Sequence, residues 1–221
     1  MEALNLNVLF EDNHVIVVEK PPMMPVNQDE SLDESLLEHI KQYIKTTRNK
    51  PNEAYVSLVH RLDRPVGGVM VFALSAKAAS RLSESVRLNQ FVKRYVAITA
   101  RPLKPGTLVD NLLKDEKTNT TIIHPKGKKS ELIIEAVDTL SDQTSRLWIR
   151  LVSGRSHQIR VQTASRFSPI LYDQRYNPKT KPTHPIALFA YELSFPHPTK
   201  KDILTFSLPL PQRHPFTLFK D

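Results

Sequence analysis

Residues 59–74 read VHRLDRPVGGVMVFAL, a short polar stretch that passes through paired glycines into a continuous apolar run. The apolar run predicts a buried strand. The polar stretch places one carboxylate, Asp63, between Arg61 and Arg64. Cationic neighbours favour the ionised form of a carboxylate, and an ionised carboxylate in a cleft can act as a nucleophile. On spacing alone, a loop aspartate in a surface ion pair is the commoner arrangement, so the segment needs support from the rest of the chain.

The apolar pattern on either side of this segment predicts strands that alternate with helices. The predicted elements are a strand over 15–18, a helix over about 36–44 that follows a Ser-x-x-Glu capping box at 31–34, the strand over 69–74 opened by Gly68, and a helix from the cap Ser75 to about Leu88. Each predicted helix has one apolar face, which we expect to be buried.

Strand patterns dominate the rest of the chain. The predicted elements are a strand over 91–98 that carries Tyr95, a hairpin of 132–140 with 146–152, a helix from the cap Ser156 to about Arg166, and a strand over 186–195. No G-x-G-x-x-G, Walker or repeat pattern occurs. The pattern therefore predicts an α+β fold with a mixed, mostly antiparallel sheet and flanking helices.

The composition favours a polyanionic partner. Lys and Arg number 31 against 23 Asp and Glu, a formal net charge of +8, and such a balance suits phosphate neutralisation. The chain has no cysteine, which excludes disulfides and thiolate metal sites. Neither a secretory signal nor an apolar stretch of membrane-spanning length is visible, so we expect a cytoplasmic protein.

Further motifs lie along the chain in a fixed order. They are LFEDNHVIVVEKP over 9–21, KRY over 93–95, GRSHQIR over 154–160, PILYDQRY over 169–176 and LFAYELSFPHP over 188–198. Together with the Asp63 segment they resemble the motifs of the RluA-type pseudouridine synthases, whose active-site segment runs approximately H-R-L-D-x-x-T-S-G. The matches extend from Leu9 to Pro198, which is most of the chain.

The resemblance implies a pseudouridine synthase fold with a central RNA-binding cleft, in a single catalytic domain over residues 1–221. It implies no S4-type RNA-binding domain, because the first motif already starts at Leu9. It also implies ribosomal or transfer RNA as the partner, no cofactor, no metal, no membrane association and a monomeric state.

The resemblance assigns roles to particular residues. Asp63 is the reacting carboxylate, Tyr95 stacks against the target uracil, and Arg160 supplies the partner charge for Asp63. The arginines Arg61, Arg64 and Arg155 are predicted to contact RNA or to displace the target base, and Arg155 is the second candidate for the partner charge. His60, His157 and Gln158 are expected to be structural.

Three departures from the family pattern bear on substrate choice. Val66-Gly67 stands where Thr-Ser is usual, 162–167 replaces an H-L-A-x-x-G pattern, and Tyr172 replaces a glycine before Asp173. These changes leave a second hypothesis open, a non-catalytic RNA-binding or RNA-folding protein on the same fold. A glycoside hydrolase is disfavoured because no second acidic residue is evident as the general acid.

Overall fold

The computed structural model describes residues 6–28, 33–49, 51–177, 179–181, 183–200 and 202–219. In these ranges the strands are, in chain order, β1 (Val8–Glu11), β2 (Val15–Lys20), β3 (Ser57–Leu58), β4 (Gly67–Ala73), β5 (Val92–Thr99), β6 (Gly106–Asp115), β7 (Thr120–Ile123), β8 (Lys128–Thr139), β9 (Ser145–Leu151), β10 (Leu188–Pro196) and β11 (Ile203–Ser207). The α-helices are α1 (Leu36–Thr47), α2 (Ala76–Arg87) and α3 (Gln158–Ala164). The predicted α+β class is confirmed.

The chain divides into two compact units. The first contains Met1–Phe91 and Glu192–Leu208, and the second contains Val92–Tyr191 and Pro209–Asp221. Strand β10 contributes residues to both. One catalytic domain over 1–221 stays a prediction. Within the described ranges, every helix is too short or too polar to cross a lipid bilayer.

In the first unit, β2 lies between β1 and β4, and both pairings are antiparallel. Every residue of β4 is buried, as are all residues of β2 except Glu19. A strand buried on both faces reads as a continuous apolar run because neither face meets water. The predicted strands over 15–18 and 69–74 are therefore confirmed.

The helices of the first unit differ in how well their starts were predicted. Helix α2 begins after Ser75, whose hydroxyl accepts a hydrogen bond from the backbone N–H of Ala78, as predicted. The N-cap of α1 is Ser35, whose hydroxyl accepts from the N–H of Glu38. The predicted start at Ser31 is wrong in position, and Ser31 itself lies outside the described residues. Ser35 and Glu38 have the same Ser-x-x-Glu spacing, so the pattern occurs twice. The first occurrence was the one used to predict the start of α1, whereas the second is the actual cap.

A buried histidine ties the start of the first unit to its end. The Nε2 atom of His197 donates to Oδ2 of Asp12 at 2.8 Å, while Nδ1 accepts from the backbone N–H of Thr199 and Lys200. Burial by itself raises the pKa of Asp12, but hydrogen bonds from the N–H of His14 and Val15 and from His197 lower it further than burial raises it. The motif over 9–21 and the motif over 188–198 are therefore joined by a part-buried hydrogen bond, which is a structural role.

In the second unit, the strands lie in the order β5-β9-β8-β6-β7, and each of these neighbours is antiparallel. The predicted strand that carries Tyr95 and the predicted hairpin are confirmed as β5 and as β8 with β9. The sequence missed β6 and β7. Their exposure is high and irregular, so they lack the apolar run or strict alternation by which a strand is recognised.

The helix of the second unit begins differently from the prediction. The N-cap of α3 is His157, which adopts a left-handed φ of 53° and makes no side-chain cap. The predicted cap at Ser156 is wrong, and the helix ends at Ala164 before the predicted Arg166. Six of its seven residues are buried, so tertiary packing stabilises α3 where local capping does not.

Candidate active site

Asp63 lies in the turn that leads into β4. Its side chain is half-buried, and its backbone carbonyl accepts a hydrogen bond from the N–H of Val66 at 2.9 Å. Leu62 beside it is buried in the core. His60 accepts a hydrogen bond from the N–H of Val71 through Nε2, which confirms its structural use. Asp63 is therefore fixed on one side by the buried Leu62 and on the other by the hydrogen bond from Val66.

The ammonium group of Lys20 lies beneath this turn. Its Nζ donates to the carbonyl oxygens of Pro21 at 2.9 Å, Arg64 at 3.0 Å and Val66 at 2.7 Å. Lys20 is fully buried. Three donors thus meet three acceptors, and two of those acceptors belong to the turn that carries Asp63. The loop is held from inside the unit by one cation.

Burial lowers the pKa of Lys20 to about 7, and the negative charge of Asp63 opposes that shift. The sequence analysis gave Lys20 no role of its own. The available signal was a lysine at the end of a wholly apolar strand, because a lysine is almost never fully buried unless it is paired. Lys20 is therefore a positioning residue for the Asp63 turn.

The two arginines on either side of Asp63 differ in their surroundings. Arg61 is exposed. Arg64 forms an ion pair with Asp33 and donates from Nε to the carbonyl of Met23 at 3.2 Å. Arg64 therefore links the turn to another loop of its own unit, whereas Arg61 presents its charge to solvent. Contact of either residue with RNA stays a prediction.

Tyr95 lies in β5 of the second unit, opposite Ile149 of β9, and is 7% exposed. Lys93 precedes it by two residues and so shares its face of the strand. Burial lowers the pKa of Lys93. A Cβ atom at Gly154 would lie 3.3 Å from Nζ of Lys93. The glycine of the GRSHQIR motif therefore leaves room for the lysine of the KRY motif, a link that the separate motifs did not reveal.

Arg160 is buried in α3 and is bound by Asp173. The Nε atom donates to Oδ2 at 2.9 Å, and Nη2 donates to Oδ1 at 2.7 Å. Oδ1 also accepts from the N–H of Arg175 and of Tyr176. The two side chains are 6% and 0% exposed. A bidentate pair of this kind fixes the plane of the guanidinium as well as its position.

The sequence analysis named Asp173 only as part of a motif and missed its role as a partner of Arg160. The pattern PILYD offered a signal, since an aspartate after an apolar run needs a partner when it is buried. The predicted pairing of Arg160 with Asp63 stays a prediction, because the two residues belong to different units.

Tyr176 encloses Arg160 from another side. The guanidinium carbon lies 5.3 Å from the centre of the Tyr176 ring. The hydroxyl of Tyr176 accepts from the N–H of Thr121 at 2.7 Å and donates to Nδ1 of His157 at 2.9 Å. This network uses His157 structurally, as expected, and fixes the start of α3.

Arg155 is exposed in the turn before α3. Its backbone N–H donates to Oε1 of Gln158, which also accepts from the hydroxyl of Ser153. Gln158 is therefore structural, as expected. Burial separates the two candidates for the partner charge: Arg160 has a fixed guanidinium, whereas the side chain of Arg155 is exposed.

Each unit thus holds chemically useful side chains in a fixed arrangement. The first presents a carboxylate on a turn that is held by a buried cation. The second presents a rigid guanidinium and a buried tyrosine. A carboxylate can attack a sugar carbon or remove a proton, and an aromatic ring can stack on a base.

Comparison with known proteins agrees with this geometry. Residues 14–165 match the family model described as RNA pseudouridylate synthase. Ribosomal large subunit pseudouridine synthase D of Haemophilus influenzae is 28% identical over 231 residues, covering 95% of this chain and 69% of that protein. Dual-specificity RNA pseudouridine synthase RluA of Haemophilus ducreyi is 28% identical over 214 residues, covering 91% of this chain and 92% of that protein.

Two solved human structures share the fold. RNA pseudouridylate synthase domain containing 4 superposes with a TM-score of 0.77 at 21% identity, over 93% of this chain and 89% of the other. RNA pseudouridylate synthase domain containing 1 gives a TM-score of 0.73 at 18% identity, over 95% and 85%. At such identities the likeness establishes the fold alone.

Proposed function

Since the chain belongs to the RNA pseudouridylate synthase family and is an RNA-modifying isomerase, we propose that Asp63 is its reacting carboxylate and that ribosomal or transfer RNA is its substrate. The observation that carries this proposal is the Asp63 turn, whose backbone is bound by the buried Lys20 ammonium. A reacting group must be held in place before the substrate arrives, and this turn is held.

The reaction breaks the bond from N1 of uracil to C1′ of the ribose and rejoins the base through C5. In one route, the Asp63 carboxylate attacks C1′ and the uracil leaves with the bonding electrons. The base turns over, C5 attacks C1′, the carboxylate leaves, and the C5 proton is lost while N1 gains one. In the other route, Asp63 removes the 2′ proton while the bond from N1 to C1′ breaks, which gives a glycal and a uracil anion. The base turns over, C5 bonds to C1′ while Asp63 returns the proton to C2′, and the C5 proton is lost while N1 gains one. Both routes need an ionised carboxylate.

Arg160 and Tyr95 complete the proposed site. A guanidinium that is already fixed by Asp173 and Tyr176 offers a positive charge without a loss of side-chain entropy on substrate binding. Tyr95 is the proposed stacking partner of the detached uracil. The target uridine must leave its stack to reach these groups, and we propose Arg61, Arg64 and Arg155 as contacts that accompany this step.

The choice of ribosomal or transfer RNA rests on two supports. One is the formal charge of +8, which suits a polyanion. The other is the names of the relatives, which specify the ribosomal large subunit in one case and dual-specificity RNA in another. A monomer that acts in the cytoplasm through a central RNA-binding cleft is part of the same proposal.

Replacement of Asp63 by Asn tests the proposal, because it keeps the shape of the side chain and removes the charge that both routes use. The substrate is bulk ribosomal and transfer RNA labelled with tritium at uracil C5, since rejoining through C5 must expel that hydrogen. We expect the wild-type protein to release label and Asp63→Asn to release none above background, with RNA affinity unchanged. Asp142→Asn, in an exposed hairpin turn, is the matched control and should release label normally.

Two outcomes would contradict the proposal. Substantial label release by Asp63→Asn would remove Asp63 from its assigned role. No release by the wild-type protein from either RNA class, with binding intact, would favour the alternative of an RNA-binding protein without turnover.

A further inference from the structure

Three rings form a cluster in the second unit, and none of them belongs to the proposed reacting residues Asp63, Tyr95 and Arg160. The ring centre of Tyr172 lies 4.9 Å from that of His184 and 5.9 Å from that of His214, and the two histidine rings are 5.4 Å apart. The hydroxyl of Tyr172 is also hydrogen-bonded to Nδ1 of His214 at 2.9 Å. These residues come from separate segments, so tertiary folding creates the cluster.

The backbone at Tyr172 is held in an unusual conformation. Its φ is 63°, in the left-handed region that favours glycine, and a bulky residue there is a genuine outlier. The motif that this segment resembles has glycine at this position. An outlier of this kind persists where the surroundings over-determine it, and such outliers concentrate at functional sites. A tyrosine therefore stands where glycine would fit without strain.

The cluster is accessible, and cationic residues lie near its rings in the sequence. His184 and His214 are exposed, and Tyr172 is half-buried. The segment 174–191 contains Arg175, Lys179 and Lys181, and neither it nor the segment 203–219 contains an acidic residue. Two exposed rings and one half-buried ring thus lie on segments whose charged residues are cationic, apart from the buried Asp173 that pairs with Arg160.

The second histidine is rigidly mounted. Arg213, next to His214, donates to the carbonyls of Pro185 and Ile186 at 3.3 and 3.2 Å, and its guanidinium lies 5.0 Å from the centre of the Phe216 ring. These contacts tie the segment of His214 to the segment of His184. Hydrogen bonds from the Arg213 side chain to main-chain carbonyls therefore hold the two histidine segments together.

We propose that Tyr172, His184 and His214 form a stacking platform for an unpaired base of the RNA substrate. Aromatic and imidazole rings bind splayed-out RNA bases by stacking, and flanking cations bind the adjoining phosphates. Asp173 directly follows Tyr172 and holds Arg160, so the platform adjoins the segment that fixes the Arg160 guanidinium. This inference rests on the proposed function only in taking RNA as the substrate.

The test measures binding of a single-stranded 12-nucleotide oligouridylate and of a 12-base-pair RNA duplex by fluorescence anisotropy. His184→Ala and His214→Ala should each weaken binding of the single strand by roughly fivefold or more, with a larger loss for the double variant. Binding of the duplex should change less than twofold, because paired bases are not free to stack. His39→Ala, on a helix of the first unit, is the matched control and should bind both RNAs as the wild type does.

Three further variants separate stacking from charge and from folding. His184→Trp and His214→Phe remove the imidazole but keep a ring, and they should bind the single strand at least as tightly as the wild type. Tyr172→Gly removes the central ring at a φ that glycine adopts freely, so it should lose single-strand affinity without a fall in melting temperature.

The outcomes distinguish this inference from the proposed function. Wild-type label release from C5-tritiated RNA together with unchanged single-strand binding by the double Ala variant would overturn the platform and leave the synthase assignment intact. Equal weakening of single strand and duplex, or failure of the Trp and Phe variants to bind, would also overturn it. Absence of wild-type label release, with the ring variants behaving as expected, would overturn only the proposed turnover.

Discussion

The turn that carries Asp63 and the helix that carries Arg160 are stabilised by opposite devices. Beneath the turn lies a buried cation, Lys20, which binds main-chain carbonyls. Beside the helix lies a buried anion, Asp173, which binds the guanidinium itself. In both regions the proposed reacting charge is accompanied, in its own unit, by a buried charge of opposite sign.

The difference between the two devices is what each one fixes. An ammonium is a compact charge with three rotatable donors, so it can gather carbonyls from several directions and define a backbone. A carboxylate that meets a guanidinium with two parallel hydrogen bonds defines the orientation of one side chain. The first unit therefore specifies where a loop runs, and the second specifies where a charge points.

The largest effect is expected from Arg160→Met. Removing one partner of a buried pair costs about 3–5 kcal/mol of unfolding free energy. If the activation free energy of the chemical step rises by the same amount, the rate falls by about two to four decades. Single-turnover rates at saturating enzyme and denaturant unfolding measure the two effects separately. RNA affinity should fall much less than the rate.

Two control variants sharpen this result. Arg160→Met combined with Asp173→Asn neutralises the abandoned carboxylate while leaving an oxygen for the N–H groups of Arg175 and Tyr176. It should recover much of the stability and none of the rate. Arg155→Met, at an exposed position, should change the unfolding free energy by less than about 0.5 kcal/mol. If Arg155→Met slows the chemical step more than Arg160→Met does, the partner charge is misassigned.

A smaller loss is expected from Lys20→Met, which leaves three carbonyl oxygens without their donor. We expect a loss of about 2–4 kcal/mol in unfolding free energy, since each buried unsatisfied group costs about 1–3 kcal/mol and part of that cost is relieved by relaxation. Turnover should fall by about tenfold or more as the turn loosens. Lys41→Met, which removes a lysine of the exposed face of α1 that pairs with Glu38, should stay within about 0.5 kcal/mol. Equal losses in the two variants would show that Lys20 does not hold the turn.

The smallest expected effect is a pH dependence that belongs to Lys20. Its pKa is about 7 in the folded protein against an ordinary 10.5, so the unfolded chain binds more protons between these values. Unfolding free energy therefore rises with pH in this window, and the contribution is lost as pH falls toward 7. The wild type should gain at least about 1 kcal/mol relative to Lys20→Met between pH 7 and 9. A flat difference would mean that the three carbonyls and Asp63 keep the ammonium charged.

Apolar patterning predicted the elements that are buried. The strands β2 and β4 were predicted within a few residues, because a strand surrounded by protein has to be apolar along its length. The hairpin of β8 with β9 was predicted from the polar turn between two apolar stretches, although half of the residues of β8 are exposed. The strands β6 and β7 were missed because their faces are largely exposed, so pairing with neighbours stabilises them and their own side chains carry little pattern.

Local signals for helix starts were less reliable. The cap at Ser75 was predicted correctly, while Ser35 was passed over in favour of Ser31, and α3 begins at His157 without a capping side chain. A capping pattern of two polar residues recurs by chance. It identifies the start of a helix only when the residues directly after it also follow the apolar spacing of a helix.

The sequence alone determined the family and supplied the residues that are proposed for the site, because the motifs are contiguous and their order along the chain is visible without a fold. The tertiary structure decided which opposite charge serves which region. Lys20 reaches the Asp63 turn through antiparallel pairing of β2 with β4, and Asp173 reaches Arg160 through the loop after α3. Neither partnership has a fixed spacing in the chain. The strength of each partnership also depends on burial, because a charge that is shielded from water depends on its partner for stabilisation. Burial is a property of the folded state and is not visible in the sequence.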